Sequence, residues 1–257
     1  MHKYFTILLI VLLNYNNLFT QSKTKINKTV EKNEGKNAIA IGLSTNRVFG
    51  ISAESMYSTD DAAATNGSFN GAQPGMDLRY TMDIDEEGSF RIPIGLNYEF
   101  FSARERIPIS RILDIKLEHT LNIISPYVGV EYRFFKLPKA RAYVYGGFDL
   151  KASFITNAKY TQSVNNINTG QNESQGTASK ENAMRFGTTY RIGIEGEISD
   201  NYEINVSSGL NVLNLIGKDG NRGELLTPIP RSSPISSENQ ESIVYGLFFS
   251  ILLQYRF

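Results

Sequence analysis

The chain has 257 residues, with 26 basic and 26 acidic side chains, a formal net charge of zero, 41% hydrophobic content and no cysteine. Balanced charge gives no reason to expect nucleic acid or another polyanion as partner. The absence of cysteine excludes disulfides, thiolate metal sites, a cysteine nucleophile and a lipid-carrying cysteine. Two histidines, His2 and His119, leave little scope for an imidazole metal site, and no cofactor is expected.

Residues 1–20 place a basic start (His2, Lys3) before the apolar run Tyr4–Leu13, then polar residues and a plausible cut between Thr20 and Gln21. This reads as a signal peptide, because the apolar run is shorter than the ~17–25 residues of a spanning helix. Residues 21–36, polar and without apolar periodicity, read as a flexible periplasmic leader. From 37 to 257 no segment is apolar for long enough to span as a helix. A membrane-resident form would therefore cross as strands.

Two-residue alternation starts at 37 and marks eight segments in all. Ile39, Ile41 and Leu43 oppose Ala40, Gly42 and Ser44; Met76, Leu78, Tyr80, Met82 and Ile84 oppose Asp77, Arg79, Thr81 and Asp83. Phe90 to Phe100 sets apolar residues against Arg91, Pro93, Gly95, Asn97 and Glu99. Val128 to Phe134 faces away from Glu131 and Arg133, and Val144 to Ala152 away from Asp149 and Lys151. Phe186 to Ile198 opposes Arg185, Arg191, Glu195 and Glu197, and Tyr202 to Leu210 opposes Glu203 and Asn205. The last strand, Ser242 to Phe257, has one continuously apolar face ending in Leu253, Tyr255 and Phe257, with Gly246, Ser250, Gln254 and Arg256 on the other. The connections alternate long (about 45–75, 102–125, 155–183, 217–242) with short (85–88, 136–140, 199–201), as in outer-membrane barrels, and both ends of the barrel fall on the short-turn side.

Alternation alone does not say which face is inside; glycine does. Gly42, Gly95, Gly129, Gly147, Gly187, Gly193, Gly209 and Gly246 share the charged face. An eight-stranded lumen is just wide enough for side chains to fill, so small residues must make room beside long ones. The reverse arrangement would put basic residues in hydrocarbon at roughly 2–4 kcal/mol each near the midplane. Asp83 and Arg91 flank the turn at 85–88, and Glu203 and Arg256 sit near the short-turn end of neighbouring strands, so a packed, plugged polar lumen with paired charges is expected. A soluble, lipocalin-like barrel survives only with the faces inverted. Tyr80, Tyr98, Tyr132, Tyr190, Tyr202 and Tyr255, with Phe90, Phe100, Phe134 and Phe257, are expected at the membrane interfaces. Pro93 predicts a bulge. Residues 112–124 alternate as well and fit either a loop or a hairpin continued above the membrane, since a ninth spanning strand would break the parity.

On ISPYVGVEYRFF (124–135), RAYVYGGFDL (141–150) and LLQYRF (252–257), the chain resembles small porin-family outer-membrane barrels, similar to the membrane domains of the OmpA and OmpX proteins. The resemblance implies an all-β fold, a transmembrane up-and-down antiparallel β-barrel of eight strands, monomeric, in the cell outer membrane with both termini periplasmic. It implies outer-membrane lipid and the barrel assembly machinery as partners, with Phe257, Tyr255 and Leu253 as the insertion signal. The Gln21 start and the Asn, Lys and Ile usage resemble a Bacteroidota protein, and, unlike in two-domain relatives, no peptidoglycan-binding module is expected after the barrel.

Some small barrels resemble lipid A acyltransferases or deacylases with a histidine–serine pair at the rim. His119, with Glu118 and Ser125 nearby, is the candidate, and a lone histidine is weak support for a nucleophile–base pair. The acidic turn Asp83, Asp85, Glu86, Glu87 matches no calcium loop, and Gly217–Gly223 lacks phosphate-loop order. No enzyme is expected. The expected role is structural or surface interaction, with an extracellular ligand possible through the long loops; a narrow passive channel is the alternative, and a rim enzyme acting on lipid the third.

Overall fold

The computed structural model describes residues 37–50, 69–85, 87–218, 225–226 and 241–257; the expected signal peptide, the leader, Glu86 and most of the proline-bearing segment 217–242 lie outside them. The described residues form nine strands: β1 (Asn37–Phe49), β2 (Gln73–Asp83), β3 (Phe90–Pro108), β4 (Leu113–Leu137), β5 (Ala142–Asn166), β6 (Asn172–Ser179), β7 (Ala183–Glu197), β8 (Tyr202–Ile216) and β9 (Tyr245–Arg256). All but β6 close a ring in chain order with every neighbour antiparallel, and β9 returns to pair with β1 from Ala38↔Arg256 to Phe49↔Tyr245. This is the expected eight-stranded up-and-down barrel.

Alternation dictates the wall. Ile39, Ile41 and Leu43 stand outside β1 while Ala38, Ala40 and Asn46 are buried inside; Leu253, Tyr255 and Phe257 stand outside while Leu252, Gln254 and Arg256 are buried. Leu43, at the centre of β1, is 70% exposed, and the apolar exposure continues around the ring through Leu78, Ile94, Val128, Leu150, Ile192 and Leu210. In water such a belt would be an aggregation surface far beyond the few hundred Å² usual for a soluble monomer. It is the exterior of a membrane-spanning barrel.

The long strands are where the structure departs from the expected loops. A tilted strand needs ~9–11 residues to cross a bilayer, yet β4 and β5 each run for 25. The segments 102–125 and 155–183 are therefore largely strand: β3–β4 continues as a hairpin to Pro108↔Asp114, and β5 turns back into β6. β6 pairs with β5 alone, so the ninth strand does not join the ring and the parity of eight stands. Asn157 carries the irregularity that makes this possible, with φ of 54°, a left-handed conformation that Asn tolerates better than most residues. Around it the β4–β5 register slips, and the inward positions on β5 change from Ser153 and Ile155 to Ala158 and Tyr160. The apolar face thereby stays inward above the rim.

Pro93 makes no bulge. The β2–β3 ladder runs unbroken through Thr81↔Pro93, while Ile92 and Pro93 drop out of the β3–β4 ladder, which resumes at Ile94↔Val128 in the same register as Arg91↔Glu131. The missing N–H costs ladder bonds without adding a residue. Tyr190 also departs from expectation, lying midway along β7 against Phe148 at 5.1 Å rather than at an interface. Tyr202, Tyr255 and Phe257 do cluster at the short-turn end.

Two glycines show why the charged face needed them. Gly95 pairs with Tyr127 and Gly193 with Tyr145, and each tyrosine ring lies across its glycine: a Cβ would stand 2.4 Å from the Tyr127 ring and 2.5 Å from that of Tyr145. Gly193→Val should therefore push Tyr145 off its bond to Asn205 (2.7 Å) and cost about 1–3 kcal/mol, the usual penalty of overpacking, read as a lower urea midpoint for the heat-modifiable gel band.

Candidate functional site

The barrel interior has two layers of opposite chemistry. On the short-turn side lies a continuous ion-pair network. Arg256 on β9 meets Asp83 (2.9 Å) and Glu203 (3.1 Å). Above them Glu195 receives Arg133 (2.6 Å), Arg91 (2.7 Å) and Gln254, with Arg256 at 3.5 Å. Arg91 continues to Glu131 (2.9 Å), which also takes Arg79 (3.2 Å) and lies 3.7 Å from Arg191, itself bonded to Asp149. Tyr127 donates to Asp77 at 2.8 Å and accepts from Arg79. Arg91 and Arg191 also lie over the Tyr145 and Tyr127 rings, at 5.2 and 5.4 Å. Seven strands contribute, so the network ties the ring across its diameter. Every charge in it has an opposite partner, the condition under which burial is tolerable.

Next along the lumen Lys151 shares a cavity of about 30 Å³ with Asp77, Glu99 and Asp149, room for water but for no chain of any size.

Toward the loop side the filling turns apolar. Val48, Phe101, Leu117, Leu121, Ile123, Ile155, Tyr160, Leu213 and Val244 form one buried cluster with Phe69, Leu225 and Leu226, residues that precede β2 and lie between β8 and β9. Phe69 packs edge-on against Phe101 at 5.2 Å and tilted over His119 at 4.6 Å. A buried clamp anchors the approach to β9: Arg185 forks onto Glu241 (2.7–3.1 Å), and Asn214 bonds Glu241, the Ser242 carbonyl and the Val244 amide. Above the rim Asp114 is buried beneath Arg106. Although burial works against it, hydrogen bonds from Arg106 and Asn165 hold its carboxyl below the usual range. Burial, with Glu105 nearby, pushes the Tyr160 phenol up.

Of the residues expected to line the lumen, Asp77, Arg79, Arg91, Glu99, Glu131, Arg133, Asp149, Lys151, Arg185, Arg191, Glu195 and Arg256 are buried, and Asp83 and Glu203 half-buried. Glu197 is not in the lumen: it is exposed as the last residue of β7, paired with Glu203 of β8 at the short-turn rim. Asp83 and Arg91 are backbone partners, as their flanking positions require, but their side chains separate, Asp83 to Arg256 and Arg91 to the two glutamates. Leu253, Tyr255 and Phe257 stand together on the outer wall at the short-turn end.

The His119 constellation does not converge. Alternation sends Glu118 outward to Arg104 at 3.3 Å, His119 inward beneath Phe69, and the Ser125 hydroxyl to Ser153 at 3.0 Å. Glu241, Asn214 and the apolar roof escape sequence reasoning. Only the continued alternation of 115 to 123 pointed to the roof, and nothing local marks Phe69, Leu225 or Leu226 as buried.

No family model matches the chain, and no curated protein matches it. Among solved structures it is similar to the attachment invasion locus protein Ail of Yersinia pestis, solved with the heparin analogue sucrose octasulfate, at 16% identity over 87% of this chain and 99% of that one, with a TM-score of 0.40. Neisserial surface protein A matches at 9% identity (88% and 100% coverage, TM-score 0.45). Outer membrane protein OprG of Pseudomonas aeruginosa matches at 11% (89% and 99%, TM-score 0.43).

Proposed function

We propose that the protein is a monomeric, non-enzymatic integral barrel of the outer membrane, sealed to flow, acting structurally or through surface contact on its loop-side hairpins. The supporting observation is the double filling of the lumen, ion pairs below and an apolar roof above, around a cavity of only about 30 Å³. A passive channel needs a continuous wet path, which paired charges alone leave open to fluctuation but an apolar roof interrupts. Both chain ends of the ring, Asn37 and Phe257, meet on the short-turn side, where each donates a backbone bond to the other. In the proposed orientation this is the periplasmic side, with β6 and the β3–β4 hairpin outside the cell. Leu253, Tyr255 and Phe257 then present an exposed apolar stripe to the insertion machinery.

Planar-bilayer recording tests the reading. The purified barrel is expected to show no steady conductance in molar potassium chloride; reproducible single-channel steps would turn the assignment to a narrow pore. A protease or antibody epitope placed in the 109–112 turn should be reached on intact cells, and failure to reach it would reverse the orientation.

A further inference from the structure

The outer wall carries a recess beside β8. Between β7 and β8 the register slips from Phe186↔Ile216 to Thr188↔Val212, so that several β8 residues face the single Gly187. Leu213 and Asn214 use this slack to turn inward, into the roof and the Glu241 clamp, while Leu215 and Ile216 stay outside. The arching strand leaves a groove of about 550 Å³ against the wall, walled by Val128, Leu150, Phe186 and Ile216 and floored by the smaller Ala152 and Thr188. Thr188 is 94% buried, and its hydroxyl has no hydrogen-bond partner among the described residues.

We infer that this groove binds one ester-linked acyl chain of a bilayer lipid. The inference rests on the membrane reading above, since the groove is lined by residues of the apolar belt. Its lining is almost wholly apolar, as an acyl chain requires. Its position fits the ester end of that chain: Phe186 and Thr188 lie in the first turns of alternation of β7 from the loop-side rim, where the acyl region gives way to headgroups. A buried hydroxyl left without an acceptor is costly, and an ester carbonyl at this depth supplies one where water is scarce.

The test uses the full barrel, stripped of lipid in detergent and offered palmitoyl-oleoyl phosphatidylethanolamine, with bound lipid counted by native mass spectrometry. The wild type should retain one phospholipid. Thr188→Val, nearly isosteric, should weaken retention about fivefold, the equivalent of the ~1 kcal/mol net worth of a hydrogen bond, while leaving lipid-free stability unchanged or raised. Ala152→Leu, filling the floor, should weaken it about tenfold or more. A wild type that retains no lipid, equal retention in both variants, or preference for free palmitate over the phospholipid overturns the inference. Heat-modifiable gel mobility reports the barrel separately: a wild type that lacks it sinks the membrane reading, whereas a heat-modifiable barrel without lipid sinks only the groove.

Discussion

Glu195→Ala is expected to cost about 3–5 kcal/mol of barrel stability, the usual penalty for removing one partner of a buried ion pair. Glu195 is the junction of the polar layer: Arg91 and Arg133 bond it at 2.7 and 2.6 Å, Gln254 donates to it, and Arg256 approaches to 3.5 Å. Alanine leaves these cations facing one another in a lumen too crowded for full hydration. Arg91 keeps Glu131 and Arg256 keeps Glu203 and Asp83, which limits the damage, but Arg133 makes no other salt bridge among the described residues and of its hydrogen bonds keeps only that to the Gly88 carbonyl. Glu195→Gln keeps the shape and an acceptor, so its penalty should be smaller. Urea titration of the barrel refolded in lipid vesicles, following the heat-modifiable band, reads both. A change within about 0.5 kcal/mol, the range of an ordinary surface substitution, would mean that water already solvates these charges and that the lumen is not packed.

Leu43→Arg should cost about 2–4 kcal/mol in vesicles, the scale for a basic residue on the lipid face at the midplane. Leu43 is central in β1, opposite Ile251 of β9, and the most exposed large hydrophobic side chain of that strand. Leu43→Ala, which removes apolar contact without adding charge, should lose less. The same arginine moved toward the end of the strand, as Ile39→Arg, should be cheaper because its guanidinium reaches the interface. A soluble barrel would accept arginine at both positions without loss. Equal, small penalties at Leu43 and Ile39 would therefore end the membrane assignment, while a depth-dependent pair would fix both the spanning and the side that faces lipid.

The ring was legible because period two and a buried face determine each other: once Arg79, Arg91 and Glu131 must be sheltered, Leu78, Ile92 and Val130 are fixed outside. The lengths of the strands were less legible. Alternation from Ser102 to Pro108 and from Leu113 to Leu121 is weaker in hydrophobicity and more polar outside, because above the membrane the outer face meets water. A window tuned to a lipid-facing strand reads it as loop. Of the roof only the alternating Leu117, Leu121 and Ile123 were legible, since Phe69, Leu225 and Leu226 become core only by folding into the mouth from outside any strand. Nor does spacing reveal which carboxylate an arginine selects: neighbours at Asp83 and Arg91 part because long side chains in a narrow lumen reach across it rather than along the wall. Glu197 looked like a lumen residue for the same periodic reason as Glu195, but as the last residue of β7 it sits at the rim, where that face is open to solvent.

Closure of the ring joins its first strand to its last, with Ala38 opposite Arg256 and Tyr245 opposite Phe49. That pairing spans nearly the whole described chain, so its loop-closure entropy must be met before its contacts repay it, and it is the slowest kind of contact to form. Until β9 docks, β1 and β8 each show a raw edge on an apolar wall, and Glu195 lacks both Gln254 and Arg256. Assembly is thus decided late and nearly all at once. Substitutions in β9 should register first in yield, as chains that stall open and are degraded or aggregate, and only afterwards in the stability of the barrels that did close.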